Sequence, residues 1–183
     1  MKKLFPLLLL LAFFACDKTT TQADLCQGVT CQNGGTCVNG DCNCPLGYTG
    51  PDCSNEKAPV KMKVGTIELT SFPPTDGGAG WDLTSGADVY LVIEKNNVEL
   101  KKTDWIQNLT GNHAWTINLE FDDPTATYTI RVYDYDDGFG DDYMGGISFT
   151  PYRPGEKFPT SYFLSCSSCV VSFGLTGIQY FHV

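Results

Sequence analysis

The chain has 183 residues, with 12 Lys+Arg against 21 Asp+Glu and a net charge of −9. So few cations cannot build a phosphate-neutralising face, which excludes a typical nucleic-acid binder. Hydrophobic residues at 42% and aromatics at 13% exclude wholesale disorder, and no apolar run reaches the roughly 18 residues a spanning helix needs.

Met1-Lys2-Lys3 is basic and Leu4 to Phe14 is apolar. This run is too short to cross a bilayer and reads as a secretory signal peptide over residues 1–15. The sequence Phe13-Phe14-Ala15-Cys16 resembles the lipobox of bacterial lipoproteins. The resemblance implies that Cys16 becomes the lipidated first residue of the mature chain, with acyl chains worth about 0.8 kcal/mol per buried methylene. An ordinary signal peptide followed by an unrelated Cys is the alternative. Cysteine parity favours the lipid, because nine Cys less Cys16 leaves eight, an even number. Residues 16–25 are polar and unpatterned after Cys16, a tether between anchor and folded part.

Cysteines at 26, 31, 37, 42, 44 and 53 follow. Residues 26–53 hold almost no aliphatic side chains, so cross-links must replace a core. Six Cys allow 15 pairings, and spacing does not choose among them. Zinc ligation is the competing use of clustered Cys, but an exported chain meets an oxidising compartment. The runs Cys31-Gln32-Asn33-Gly34-Gly35-Thr36-Cys37 and Cys44-Pro45-Leu46-Gly47-Tyr48-Thr49-Gly50-Pro51-Asp52-Cys53 resemble an EGF-like domain. That resemblance implies Cys26–Cys37, Cys31–Cys42 and Cys44–Cys53 around a two-stranded hairpin. Only Asp24 and Gln27 flank Cys26, which does not match the calcium-binding EGF subtype. Residues 54–59 are polar, end in Pro59 and read as a linker.

Residues 60–183 read as a β domain. Val60, Met62 and Val64 alternate with polar neighbours. Ile67 and Leu69 continue on the other parity after Gly65, which predicts a bulge. Further strands are predicted at Val89–Glu94, Val98–Ile106, Ala114–Phe121, Thr127–Tyr133, Tyr143–Thr150, Tyr162–Leu164, Val170–Phe173 and Ile178–His182. Short strands separated by turn residues, with no sustained helical period, predict an antiparallel sandwich or barrel.

This region holds 8 cations against 16 anions, so it carries −8 of the −9. Asp134, Asp136, Asp137, Asp141 and Asp142 fall within nine residues. Crowded carboxylates raise one another's pKa unless a cation neutralises them. Hard oxygen ligands select Ca²⁺ or Mg²⁺. An EF-hand loop starting at Asp134 would put Phe139 at position six and Gly145 at position twelve, so that motif fails.

The spacing instead resembles the C2 domain of synaptotagmins and protein kinase C. That family carries two Asp six apart on one loop and three on another at relative positions 0, 2 and 8. Asp82 and Asp88 match the first loop, and Asp134, Asp136 and Asp142 the second. Tyr143-Met144-Gly145 stands where the family has two apolar residues and Gly. The resemblance implies that these five Asp bind Ca²⁺, and that Leu83 and Phe139 occupy the loop tips, where a membrane or partner would be met. Asp76, Asp137 and Asp141 are left as spare acids. Two departures stand out: Val89 replaces the usual Pro, and the basic strand is reduced to Lys95, Lys101 and Lys102. The expected fold class is mainly β: a small disulfide-rich EGF-like module followed by an antiparallel eight-stranded C2-like β-sandwich.

Cys166-Ser167-Ser168-Cys169 precedes a strand-like run rather than a helix, which favours a structural disulfide over a redox pair. His113 and His182 have no nucleophile near them in sequence, and no catalytic residues are expected. The functional expectation is a non-enzymatic, Ca²⁺-dependent adhesion or binding protein of the cell envelope. It would be anchored by lipid to a bacterial membrane, at the outer membrane or cell surface, with an unknown protein or glycan ligand and no nucleic acid. The alternative is an accessory domain of an envelope enzyme or polysaccharide-binding complex.

Overall fold

The computed structural model describes residues 24–82, 85–138, 140–167 and 169–183. The expected signal peptide, Cys16 and most of the expected tether lie outside the described residues, as do the two expected tips, Leu83 and Phe139. Among the described residues no helix is long and apolar enough to cross a membrane.

The N-terminal unit is held by cross-links. Cys26–Cys37, Cys31–Cys42 and Cys44–Cys53 are bonded. The first two staple a hairpin of β1 (Thr36–Val38) and β2 (Asp41–Asn43). A second small sheet pairs β3 (Tyr48–Thr49) with β4 (Asn55–Glu56). Strand β4 falls inside residues 54–59, so this segment is more than a spacer: its first half completes the module before the chain moves on.

The sandwich comprises β5 (Lys61–Ser71), β6 (Val89–Lys95), β7 (Val98–Lys102), β8 (His113–Phe121), β9 (Tyr128–Asp134), β10 (Asp142–Phe149), β11 (Ser161–Leu164), β12 (Ser172–Thr176) and β13 (Gln179–Phe181). One sheet orders β10-β9-β6-β7. In the other, β5 is central, with β8 along one side and β12 and β13 along the other, and β11 beyond β12. Strands β12 and β13 pair successive stretches of β5 and behave as one strand broken at Gly177. Counted so, eight strands form two four-stranded antiparallel layers.

Alternation supplies the core. Met62 and Val64 are fully buried, the β5–β8 register shifts between Val64 and Thr66, and Ile67 and Leu69 are then fully buried. The bulge at Gly65 is what keeps both apolar sets on the inner face. From the facing sheet come Val89, Leu91 and Ile93 of β6 and Tyr128, Ile130 and Val132 of β9, all fully buried. Each such side chain contributes about 1.5–3 kcal/mol of transfer free energy. The strand predicted over 98–106 stops at Lys102. There Thr103 takes over the contacts to Leu91, its N–H donating to Leu91 O at 3.0 Å and its Oγ1 accepting Leu91 N–H at 3.0 Å. Ile106 then returns to bridge Val89.

The two units are joined by a packed seam. Phe158 stands at its centre, with Tyr48 of the first unit against it edge-on at 5.5 Å, Tyr152 stacked at 5.8 Å and His182 edge-on at 4.9 Å. Gly47 makes this approach: a Cβ there would lie 2.5 Å from a Phe158 ring carbon, and its φ of +87° suits glycine. Glu56 of β4 crosses the seam. Its carboxylate accepts hydrogen bonds from Tyr152 Oη at 3.2 Å, Gly155 N at 2.8 Å and Lys157 N at 3.2 Å. Burial, then the Glu56 carboxylate, push the Tyr152 hydroxyl up to about 12. Replacing Glu56 with Ala leaves the buried Tyr152 hydroxyl without its acceptor, a penalty of about 1–3 kcal/mol. Urea unfolding of Glu56→Ala is expected to show that loss, with faster proteolysis near residue 57; an unchanged midpoint and cleavage rate would show that the seam contributes nothing.

Candidate metal centre

The site is assembled where strands end. The inward column of β9 runs Tyr128, Ile130, Val132, Asp134, so the period-two pattern of the core terminates in a carboxylate. Asp134 is 0% exposed, the one charged residue in the buried core among the described residues. Its Oδ1 accepts the Asp88 N–H. Its Oδ2 is buried with no hydrogen-bond partner among the described residues.

Two further carboxylates approach. Asp82, on the loop between β5 and β6, and Asp136, two residues beyond Asp134, each place an oxygen within 4.8 Å of the others and of Asp134. Ser85 Oγ donates to Asp82 Oδ2 at 2.8 Å. Burial raises the Asp134 carboxyl to about 6; the Asp88 N–H opposes this, and the charges of Asp82, Asp136 and Asp88 add to it. Asp136 is raised too, by burial first and then by Asp142, Asp82, Asp141 and Asp88.

The five expected ligands therefore fall into two sets. Asp82, Asp134 and Asp136 form the tight group. Asp88 and Asp142 stand at the same end but outside it. Asp88 Oδ1 accepts the Asn108 N–H at 2.8 Å, and Asn108 Oδ1 in turn accepts Gly86 N–H at 2.9 Å. Asp142 is the first residue of β10, directly opposite Asp134 in the ladder, and is exposed. Of the acids set aside as spare, Asp137 is exposed. Asp141 has a definite post: it accepts hydrogen bonds from the Tyr90 hydroxyl and, at 3.3 Å, from Asp136 N–H, and lies 3.7 Å from Lys102 Nζ. Sequence reasoning missed Asn108 and Asp141. Asn108 is one of the chain's asparagines at positive φ, a common turn residue, and nothing in its spacing marks it as a brace.

A buried carboxylate oxygen, unpartnered among the described residues, inside a group of three carboxylates fits a hard divalent cation. Oxygen donors on two loops suit Ca²⁺, which accepts flexible geometry, better than Mg²⁺, which demands an octahedron. Cys166 and Cys169 are bonded to one another and lie away from this group in sequence and sheet.

Comparison with solved structures finds a likeness of fold. Human GIVD cytosolic phospholipase A2 superposes with a TM-score of 0.51 at 17% identity, over 67% of this chain and 16% of that one. A C2 domain of plant Extended Synaptotagmin 1 gives 0.48 at 18% identity, over 69% of this chain and 100% of that one. The larger unit is a C2-domain-like β-sandwich, a likeness of fold alone. The smaller unit is EGF-like: residues 26–53 match the EGF-like domain family model. The chain is 42% identical over 50 residues to cadherin EGF LAG seven-pass G-type receptor 2 of Rattus norvegicus and 49% identical over 39 residues to the Homo sapiens protein of that name. These matches cover 25% and 19% of this chain, and the chain spans only 2% and 1% of those relatives.

The raised Asp134 carboxyl sets a pH dependence. The unfolded chain releases this proton near the ordinary 3.8, the folded chain near 6. Between those values the folded state holds more protons, so without a cation stability falls as pH rises through the window. Melting temperatures in EDTA are expected to show that fall between about pH 4 and pH 6, and Asp134→Asn is expected to flatten it. An identical slope in the variant would remove Asp134 as its source.

Proposed function

We propose that the chain is an exported, lipid-anchored, calcium-binding protein of the cell envelope whose role is adhesion or binding rather than catalysis. One observation carries the calcium reading: the fully buried Asp134, with one carboxylate oxygen unpartnered among the described residues, faces Asp82 and Asp136 within 4.8 Å at the loop end of a C2-like sandwich. Asp82, Asp134 and Asp136 would hold the first ion, with Asp88 and Asp142 able to serve further ions or support the field. Bound Ca²⁺ supplies charge neutralisation and a bridge between the two loops. The anchor, the bacterial envelope and the adhesive role rest on the residues of the N-terminus, on Cys16 above all, and on the EGF-like module. Exported chains use such modules because disulfides replace the missing core.

Extracellular calcium modules bind at about 10⁻⁴–10⁻³ M. At about ten times the Kd, a ligand specific for the native state adds about 1.4 kcal/mol, or a few degrees in melting temperature. Wild-type protein in millimolar Ca²⁺ is expected to gain that shift. Asp134→Asn and Asp136→Asn are expected to lose it, and Asp137→Asn to keep it. Because an asparagine at position 134 carries no buried charge, Asp134→Asn should melt no lower than wild type in EDTA. A wild-type melting temperature indifferent to Ca²⁺ would end the calcium reading.

The anchor is tested separately. Mass spectrometry of the mature chain is expected to find diacylglyceryl-modified Cys16, and Cys16→Ser should leave an unprocessed or freely soluble protein. An unmodified mature Cys16 would contradict it. No free thiol is expected among the other eight Cys.

A further inference from the structure

The seam between the two units holds a histidine with one nitrogen left over. His182 follows β13, and its ring meets Phe158 edge-on at 4.9 Å. A Cβ on Gly47 of the first unit would lie 3.1 Å from His182 Nε2, so the imidazole reaches across to the EGF-like turn. The Lys57 backbone hydrogen-bonds to the ring. Nδ1 is buried and has no partner among the described residues, so that bond falls to Nε2. A neutral ring with its proton on Nε2 suits these surroundings. Two backbone ties bracket the joint beside it. Lys57 N–H donates to Gly47 O at 2.8 Å on the module side, and Val60 N–H to Phe181 O at 2.8 Å on the sandwich side. Ala58 and Pro59 lie between the two ties.

We propose that His182 is an acid-sensitive latch: its protonation in mild acid releases the seam and lets the EGF-like unit turn away from the sandwich about Ala58 and Pro59. A second proton has to go on Nδ1, where a buried N–H finds no acceptor and a new cation is shielded from water. Burial holds the imidazole below its ordinary 6.5; the Lys57 backbone bond opposes this, and the Lys57 charge adds to it. Once the seam opens, the ring returns to water and to its ordinary value. The open form therefore takes the proton more readily. The seam is at full strength above about pH 6.5 and weakens as pH falls below that value. The other titratable groups around the ring are Tyr48 on the first unit, Glu56 and Lys57 on the joining segment, and Tyr180 on its own strand. The loop before β11 adds Tyr152, Glu156 and Lys157. Tyrosine and lysine side chains do not change charge in this range. Glu156 faces Arg153 at 3.9 Å. The Glu56 carboxylate is occupied by Tyr152 and the N–H groups of Gly155 and Lys157. No carboxylate is bonded to the imidazole among the described residues, so none is in place to stabilise its charged form.

The test reads the seam by amide hydrogen exchange on the full chain carrying Cys16→Ser, between about pH 7.5 and pH 5, with rates corrected for the intrinsic pH dependence of exchange. Protection of the Lys57 N–H, which closes onto Gly47 O, is expected to fall by up to about tenfold per pH unit below 6.5, while the amides of β5 show no such loss. His182→Gln should remove the slope, whatever it does to the level at neutral pH, and Glu56→Gln should keep it. An NMR titration of the wild-type imidazole, one of two in the chain, needs no variant and should give a midpoint below 6.5. The proposal is overturned if wild-type protection at Lys57 does not fall with pH, if His182→Gln keeps the slope, or if the imidazole titrates at 6.5 or above. A parallel loss in β5 would equally overturn it, as unfolding of the whole sandwich. Loss of the slope in Glu56→Gln would assign the titration to Glu56 and do the same.

Discussion

A carboxylate at the end of a core strand constrains everything around it. Three side chains of β9 with apolar bodies pack inward, and the fourth in the same column, Asp134, is fully buried and ionisable. A buried charge is tolerated when it is neutralised by a proton, a counter-ion or hydrogen bonds. The described residues supply one hydrogen bond, from Asp88 N–H, and no basic side chain is paired with it. Protonation answers the cost at low pH, and a divalent cation would answer it at neutral pH. The neighbouring carboxylates Asp82 and Asp136 make the second answer the stronger one, because their repulsion is relieved by the same ion. In the reading proposed above, such an ion would join Asp82 to Asp134 and Asp136 through charge.

Strand β5 relates this end to the rest of the molecule. Its first residues pair with β13 at the seam with the EGF-like module, and its last lead into the loop that carries Asp82. Eleven residues at about 3.3 Å each span roughly 35 Å. The EGF-like unit and the acidic loops therefore occupy opposite ends of the sandwich. The seam at Phe158 and Glu56 prevents the module from acting as a loose bead. In the reading proposed above, tether, module and sandwich run in series away from Cys16, and the acidic end is the part most remote from the membrane.

The fold was legible because its signals are local. Alternation in β5, β6 and β9, the break of parity at Gly65 and the Cys spacing of residues 26–53 each follow from period-two packing or from cross-links that replace a core. That Asp82, Asp134 and Asp136 share one end was implied by the resemblance of their spacing to that of C2 domains. What stayed hidden depends on tertiary neighbours. Asp141 looked like any other acid of the run DYDDGFGDD, yet Tyr90 reaches it from a strand 51 residues earlier. Glu56 sat in a polar stretch with the composition of a linker, and only the fold of residues 152–157 gives it three donors. Trp105 read as part of a strand, and its stacking on Tyr135 depends on Ile106 bridging Val89.

The partition of the acidic run explains how so many carboxylates coexist on one short loop. Asp141 shares its charge with Lys102 and the Tyr90 hydroxyl, and Asp137 is exposed to solvent, where screening makes its field weak. Asp142 is exposed at the head of β10. Two acids of this run, Asp134 and Asp136, join Asp82 from the other loop in the close group. Three carboxylates facing one divalent ion leave a residual charge of about −1, so a first ion is favoured strongly and each later one less so. Protons compete for the same oxygens because Asp134 titrates at about 6. In the calcium reading proposed above, such a site would fill in neutral, calcium-rich surroundings and empty in mild acid.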